Sequence, residues 1–250
     1  MAAELFLPTF VVAHVRGPTP REIATHHSNA VALEVDPEVS TVTVDPHHSV
    51  LVDSVIDARG VGKAESKLNS LWGEMQPALQ SRLDAAGEAT VVLCGPYKSG
   101  KSSLLFGNEL DEDSPAAGLL PRFVRSAFQG KCGRGGATPA AMEVTMVHVE
   151  NEFAFDLLNP VDPTSSDEGK RKLQLRWSPS KQEAFLTSLS SAVCSSPLEV
   201  LQALHEGLAM RALHFHCTGH NLNSHACHLV VTLTMLERPP QPAAARGEGG

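Results

Sequence analysis

The sequence has no uninterrupted apolar run of about 20 residues, the length that a helix needs to cross a bilayer. It also lacks an excess of positive charge, since 20 Lys+Arg stand against 28 Asp+Glu and the net charge is −8. A nucleic-acid-binding surface is therefore not expected. Residues 1–8 have neither a basic segment nor a long apolar core, so no signal peptide is predicted.

Cysteine is scarce, and its pattern excludes a disulfide-stapled fold. The five cysteines are odd in number and scattered, which indicates reduced thiols in an intracellular protein. They are Cys94, Cys132, Cys194, Cys217 and Cys227. With 250 residues, 42% of them apolar, the chain is long enough to bury one large core or two small ones.

The strongest motif is Gly95–Ser102, which reads Gly-Pro-Tyr-Lys-Ser-Gly-Lys-Ser and fits the phosphate-loop pattern G-x-x-x-x-G-K-S. The apolar run 89–94 before it predicts a buried strand, and a helix-compatible stretch follows. In such a loop the backbone N–H groups turn toward bound phosphates. Lys101 is expected to reach the outer phosphates and Ser102 to be a ligand of Mg²⁺. The alternatives are a solvated lysine and a helix-capping hydroxyl.

Strand-like and helix-like segments alternate along the chain. Strands are predicted at 5–15, at 31–44 as a hairpin around Asp36-Pro37, at 50–52, at 142–149 with 153–158 as its hairpin partner, and at 229–236 as a last buried strand. Helices are predicted at 63–86, at 119–128, and from Ser196 onward, where a serine cap precedes Pro197.

This order of elements predicts an α/β fold, a three-layer P-loop NTPase-type sheet flanked by helices, with one nucleotide site at the strand ends. We expect residues 9–236 to form this domain. Residues 1–8 are then an N-terminal segment, and 237–250, rich in Pro, Ala and Gly, are predicted to be a disordered tail.

Seven segments occur in one order along the chain. They are Val11–Pro18 with Arg21-Glu22, Val50–Ile56, the phosphate loop with its trailing Gly107, Gly118–Arg122, Val149–Pro160, Glu206-Gly207 with Arg211, and Ser224–Ala226. In this order they resemble the kinesin motor domain. The fifth, for example, is similar to the family's Ile-Tyr-Asn-Glu-x-x-x-Asp-Leu-Leu-Asn-Pro. The resemblance covers nearly all of residues 9–236.

The resemblance implies a microtubule motor family, with ATP and Mg²⁺ as cofactors, microtubules as partner, and a cytoplasmic, cytoskeleton-associated location. Ser102 would be the Mg²⁺ ligand, and Ser224 and His225 would be a remnant of the nucleotide-sensing switch I; a structural role is the alternative for that pair. Arg16 and Pro18 would lie beside the adenine base; the alternative for these two residues is that they form a strand end and a turn. ATP-binding roles fall on Gly95, Pro96, Tyr97, Lys98, Ser99, Gly100, Lys101, Ser102, Ser103, Arg16 and Pro18.

The chain also departs from the family pattern. The family's switch I ends in Asn-x-x-Ser-Ser-Arg-Ser-His, whereas here His220–Asn223 lead into Ser224-His225 without Ser-Ser-Arg. Ser103 stands where the family has an aromatic residue next to the adenine. Nothing in the sequence resembles the switch II motif Asp-Leu-Ala-Gly-x-Glu. We therefore expect a motor domain that is incomplete at its C-terminus and lacks most of the microtubule-binding surface.

A run of histidines and cysteines near the end offers enough donors for zinc. It consists of His214, His216, Cys217, His220, His225, Cys227 and His228. The spacings match no common zinc pattern, and the kinesin resemblance already accounts for this region, so we expect no stoichiometric zinc there.

The function expected from these features is that of a kinesin-like ATP-binding protein with weak or no motor activity in this chain alone. Whether it hydrolyses ATP stays open at this point. One alternative is a non-catalytic pseudo-motor that serves as an interaction scaffold. Absence of ATP binding would favour this alternative. Another is an unrelated P-loop phosphotransferase or GTPase, although the sequence has no base-specificity motif such as Asn-Lys-x-Asp.

Overall fold

The computed structural model describes residues 9–18, 23–25, 33–45, 48–59, 64–96, 98–107, 114, 116–159, 172–180, 182–218 and 227–237. The chain divides into two compact units, Met1–Phe123 and Val124–Gly250.

The described residues of the first unit form two small sheets and include most of the phosphate loop. Strand β1 (Val12–Arg16) pairs in parallel with β5 (Ser54–Ala58). Strands β2 (Glu34–Asp36), β3 (Thr41–Asp45) and β4 (His48–Leu51) form an antiparallel sheet in that order. The predicted hairpin is confirmed, and the Asp36 carboxylate holds its turn by accepting hydrogen bonds from the backbone N–H groups of Glu38 and Val39.

Three helices follow in the chain: α1 (Ala64–Ala86), α2 (Lys101–Phe106) and α3 (Leu119–Phe128). The helix predicted at 63–86 is confirmed as α1. Its apolar residues recur at spacings of three and four, Leu71 and Leu83 among them are buried, and the helix packs against β5. Pro77 lies inside the helix without ending it. The helix predicted at 119–128 is confirmed with both bounds, because Pro121 falls in its first turn and Gly130 follows its end.

The strand predicted at 89–94 is wrong. Residues 88–95 belong to neither a helix nor a strand, and Val92 is 73% exposed. An apolar, β-branched run becomes a buried strand only where a neighbouring strand pairs with it and helices cover it. Within the described part of the first unit, no strand pairs with this run.

The second unit is built on a five-stranded antiparallel sheet centred on β6 (Ala141–Glu150). The other members of the unit are the 3-10 turn Arg134–Gly136, β7 (Phe153–Asp156), β8 (Lys172–Leu173), β9 (Leu175–Ser178), β10 (Glu183–Leu186), β11 (Ala192–Cys194), α4 (Pro197–Thr218) and β12 (Cys227–Leu236). Strand β6 pairs along its whole length with β12, and with β7 and β11. Helix α4 packs against β6 and β11, while β9 and β10 form a separate hairpin.

Sequence signals for this unit are largely borne out. The hairpin of β6 and β7 is confirmed, and α4 begins at Pro197 as predicted. The Ser196 hydroxyl accepts a hydrogen bond from the Glu199 N–H, and the Glu199 carboxylate accepts one from the Ser195 N–H. The expectation that 229–236 is a buried strand is wrong in its burial, since every second residue of β12 is exposed and Val230 is 49% exposed.

Mixed sheets and helices agree with an α/β fold, whereas the three-layer arrangement stays a prediction. None of the helices within the described residues combines the length and apolar composition that a bilayer crossing requires.

Candidate functional site

The phosphate loop keeps its shape through glycines that no other residue could replace without strain. Gly95 has φ 150° and Gly100 has φ 98°, both in the region that favours glycine. A Cβ on Gly95 would lie 2.9 Å from Ser99 Oγ, too close for a real contact. The loop is therefore narrow at Gly95, where the Ser99 side chain takes the space that a Cβ would need.

The Lys101 side chain folds back across this loop. Its Nζ donates hydrogen bonds of 2.7 Å to the carbonyl oxygens of Gly95 and Pro96, and lies 3.4 Å from Ser99 Oγ. The ammonium group is thus held inside the curve of the loop, which is where the predicted role of Lys101 needs a positive charge.

Arg16, at the end of β1, supports the same loop from 82 and 83 residues away in sequence. Its Nη2 donates to the Lys98 carbonyl oxygen at 2.9 Å, and its Nε donates to the Ser99 carbonyl oxygen at 3.0 Å. A third hydrogen bond, from Nη1 to the Gly17 carbonyl oxygen at 2.8 Å, fixes the guanidinium group. Lys98 has φ 62°, so these contacts hold a strained, non-glycine position of the loop. The sequence predicts Arg16 either beside the base or at a strand end; in the structure Arg16 ends β1, and its place beside the base stays a prediction.

Helix α2 continues from the loop and ends at Gly107, whose N–H donates to the Ser103 carbonyl oxygen. Gly107 forms an isolated bridge with Ala117, and a Cβ on it would lie 2.7 Å from the Ala116 carbonyl oxygen. Two of the kinesin-like segments, the trailing glycine of the phosphate loop and Gly118–Arg122, therefore meet here through close backbone contact.

The predicted nucleotide residues are brought together in part. Gly95, Pro96, Lys98, Ser102 and Ser103 are exposed. Ser99, Gly100, Lys101, Arg16 and Pro18 are half-buried. Tyr97 and the switch I candidates Ser224 and His225 lie outside the described residues.

A second polar group lies in the second unit, and the sequence analysis singled out only one of its members, His214. It consists of His148 and Glu150 on β6 and His214 on α4. Glu150 Oε2 is 3.7 Å from His148 Nε2 and 3.6 Å from His214 Nε2. Burial, aided by the nearby charges of Arg211 and His214, lowers the pKa of His148 from 6.5 to about 4. The signal in the sequence is that His148 and Glu150 continue a strand face whose earlier members, Met142, Val144 and Met146, are apolar and buried.

Asp156, in the Asp-Leu-Leu-Asn-Pro segment, is almost fully buried and holds two backbone groups. Its Oδ2 accepts a hydrogen bond of 2.7 Å from the Ser190 N–H, and its Oδ1 accepts one of 2.9 Å from the Leu158 N–H. These bonds tie the end of β7 to the chain before β11. The carboxylate of this kinesin-like segment is thus a structural group.

An α/β chain whose glycine-bracketed loop encloses a lysine ammonium belongs, by these features, to the P-loop nucleotide-binding class. The sequence model of the kinesin motor domain matches residues 15–247, so the chain belongs to the kinesin motor domain family. Over an alignment of 153 residues, it is 30% identical to "Kinesin-like protein KIF11" of Mus musculus. The alignment covers 58% of this chain and 14% of that protein. The chain thus corresponds to a small part of that relative's length.

Proposed function

We propose that this chain binds ATP with Mg²⁺ at the loop Gly95–Ser102 and does not couple ATP hydrolysis to microtubules on its own. Membership of the kinesin motor domain family supports the choice of nucleotide. The observation that carries the proposal is the position of the Lys101 ammonium, within 2.7 Å of two carbonyl oxygens of the loop.

The residues present fit a triphosphate and its cation. The backbone of 95–101 and Lys101 would hold the phosphates, and the exposed Ser102 hydroxyl would be the protein ligand of Mg²⁺. When bound, the cation neutralises negative charge on the phosphate oxygens. Arg16 positions the loop through its hydrogen bonds to the Lys98 and Ser99 carbonyl oxygens.

Two features argue for weak binding and against turnover. Ser103 is exposed and offers no ring for the adenine to stack on, so base recognition is reduced. The sequence also lacks the Ser-Ser-Arg of switch I and any Asp-Leu-Ala-Gly-x-Glu. The coupling of nucleotide state to microtubule binding in this family depends on those segments. We keep residues 9–236 as the proposed extent of the domain and the cytoskeleton as its proposed location.

Calorimetry with Mg-ATP tests the proposal on the wild type, on Lys101→Ala and on Lys131→Ala. Lys131 is an exposed lysine in the second unit and serves as the matched control. We expect heat of binding from the wild type and Lys131→Ala, and loss of most of it in Lys101→Ala, because the phosphates lose their cationic partner. Equal heats for all three folded proteins would contradict phosphate binding at this loop.

A non-catalytic scaffold is the second candidate, and the missing Ser-Ser-Arg favours it. It predicts no heat with Mg-ATP from any of the three proteins, which separates it from the first proposal in the same experiment.

A further inference from the structure

We propose that His148, Glu150 and His214 form a binding site for one divalent transition-metal ion, with zinc as the ion that this ligand set suits best. Two imidazoles and a carboxylate are ligands that zinc takes in proteins when a fourth position is left to water or another donor. The proposal concerns the second unit and does not depend on nucleotide binding.

The fold places the three side chains by simple periodicity. His148 and Glu150 are two residues apart on β6, so they point to the same face, which is also the face of Met146. Helix α4 approaches that face closely at Gly207, where an added Cβ would overlap Met146 Sδ. From Gly207 to His214 the helix rises about 10 Å. Along β6, His148 lies about 7 Å and Glu150 about 14 Å beyond Met146. The helix rise of about 10 Å therefore places His214 at a level between His148 and Glu150.

The distances fit a metal better than they fit hydrogen bonds. The contacts of 3.7 Å and 3.6 Å from Glu150 Oε2 to the two imidazole nitrogens are too long for hydrogen bonds. One ligand atom from each of the three residues lies within 4.8 Å of the others. Zinc bonds of about 2.0–2.1 Å in a tetrahedron place neighbouring ligand atoms about 3.3 Å apart. Binding therefore needs the two Glu150 contacts to shorten by about 0.3–0.4 Å, and the two imidazole nitrogens to approach each other by up to about 1.5 Å.

The surroundings favour retention of an ion. The His148 side chain is fully buried, and those of Glu150 and His214 are 5% and 12% exposed. The Phe155 ring, opposite His148 in the sheet, lies 4.6 Å from the His214 ring and closes one side of the cluster with apolar surface. A dry, apolar shell strengthens the attraction between a carboxylate and a cation.

Arg211 sets the affinity that we expect. It lies one helical turn before His214, and its Nη2 is 3.6 Å from Cys227 Sγ on β12. Its charge acts on His148 and opposes a cation bound beside it, so the affinity is expected to be moderate. The sequence expectation of no zinc concerned the run from His214 to His228. The site takes only His214 from that run and its other two ligands from β6.

Cobalt(II) provides the test, because its visible absorption reports both binding and geometry. The whole chain, purified without a histidine tag and made metal-free, is titrated with Co²⁺ and then with Zn²⁺ in competition. Wild type and His205→Ala, which changes an exposed histidine of the same helix, are expected to bind one ion per chain. His214→Ala is expected to bind the ion more weakly by about 10- to 100-fold or more. Substitutions of residues that only hydrogen-bond to metal ligands already have effects of that size.

Three results would overturn the proposal: no cobalt bound by the folded wild type, undiminished binding by folded His214→Ala, or a thiolate-to-cobalt band, which would place a cysteine among the ligands. A measurement on the wild type alone guards against a variant that does not fold. Zn²⁺ is expected to raise the temperature of unfolding where Mg²⁺ does not, and equal effects of the two ions would also contradict the site.

Discussion

At the residue scale, Lys101 and Arg16 act on the phosphate loop through different contacts. Lys101 places a charge inside the loop, where it would act directly on a bound phosphate. Arg16 contacts the loop backbone, through the Lys98 and Ser99 carbonyl oxygens. The first is expected to contribute to binding by contact, and the second by holding the loop in its narrow form.

Replacing Arg16 by Ala is therefore expected to weaken Mg-ATP binding by about tenfold. Hydrogen bonds to a charged group contribute about 1.5–3 kcal/mol, and part of this energy orders the loop for its ligand. Arg16→Lys keeps the charge but not the forked geometry, and is expected to restore little. Calorimetry measures both, with the exposed Arg176→Ala as control. Unchanged affinity in Arg16→Ala would show that the loop keeps its shape without the guanidinium.

At the scale of elements, two glycines in helices have opposite surroundings. Gly73 lies in α1, where a Cβ would meet nothing within 4 Å. Gly207 lies in α4, where the same atom would overlap Met146 Sδ. One position is open, and at the other the end of the Met146 side chain fills the space that a Cβ would take.

Gly73→Ala is expected to stabilise the protein by about 0.5–1 kcal/mol, since alanine favours a helix and nothing opposes its methyl group. Gly207→Ala is expected to destabilise it by about 1–3 kcal/mol, because the end of the fully buried Met146 side chain must move within a packed core. Urea unfolding of the two variants beside the wild type measures both. If both substitutions stabilise, the close approach of α4 to β6 is wrong.

How far the sequence predicts these elements depends on how local their causes are. Ser196-Pro197 and the apolar face of α1 are local signals, and the helices they predict are present. The run 89–94 looks like a strand, but pairing depends on partners elsewhere in the chain, and none of the described residues supplies them. His148 and His214 are 66 positions apart, so their meeting depends on how α4 packs, which periodicity alone does not reveal.

At the scale of the whole molecule, the match to the kinesin family indicates a motor domain, whereas the sequence lacks two motifs that the family uses. The kinesin motor domain model matches residues 15–247, and the phosphate loop fits the family's pattern. The switch I triplet Ser-Ser-Arg and the switch II motif are absent from the 250 residues. In the intact family, these segments link nucleotide state to the polymer. We therefore keep as a proposal that nucleotide binding to this chain alone leaves microtubule binding unchanged, since coupling needs an element that both ligands bias.

A phosphate-release assay, run with and without polymerised tubulin, tests this account most directly. Groups that stabilise charge in the transition state are each typically worth about 10²–10³ in rate, so losing even one should leave turnover near background. The account predicts equal, near-background rates with and without microtubules, for the wild type and for Lys101→Ala alike. A clear stimulation by microtubules that Lys101→Ala abolishes would contradict it.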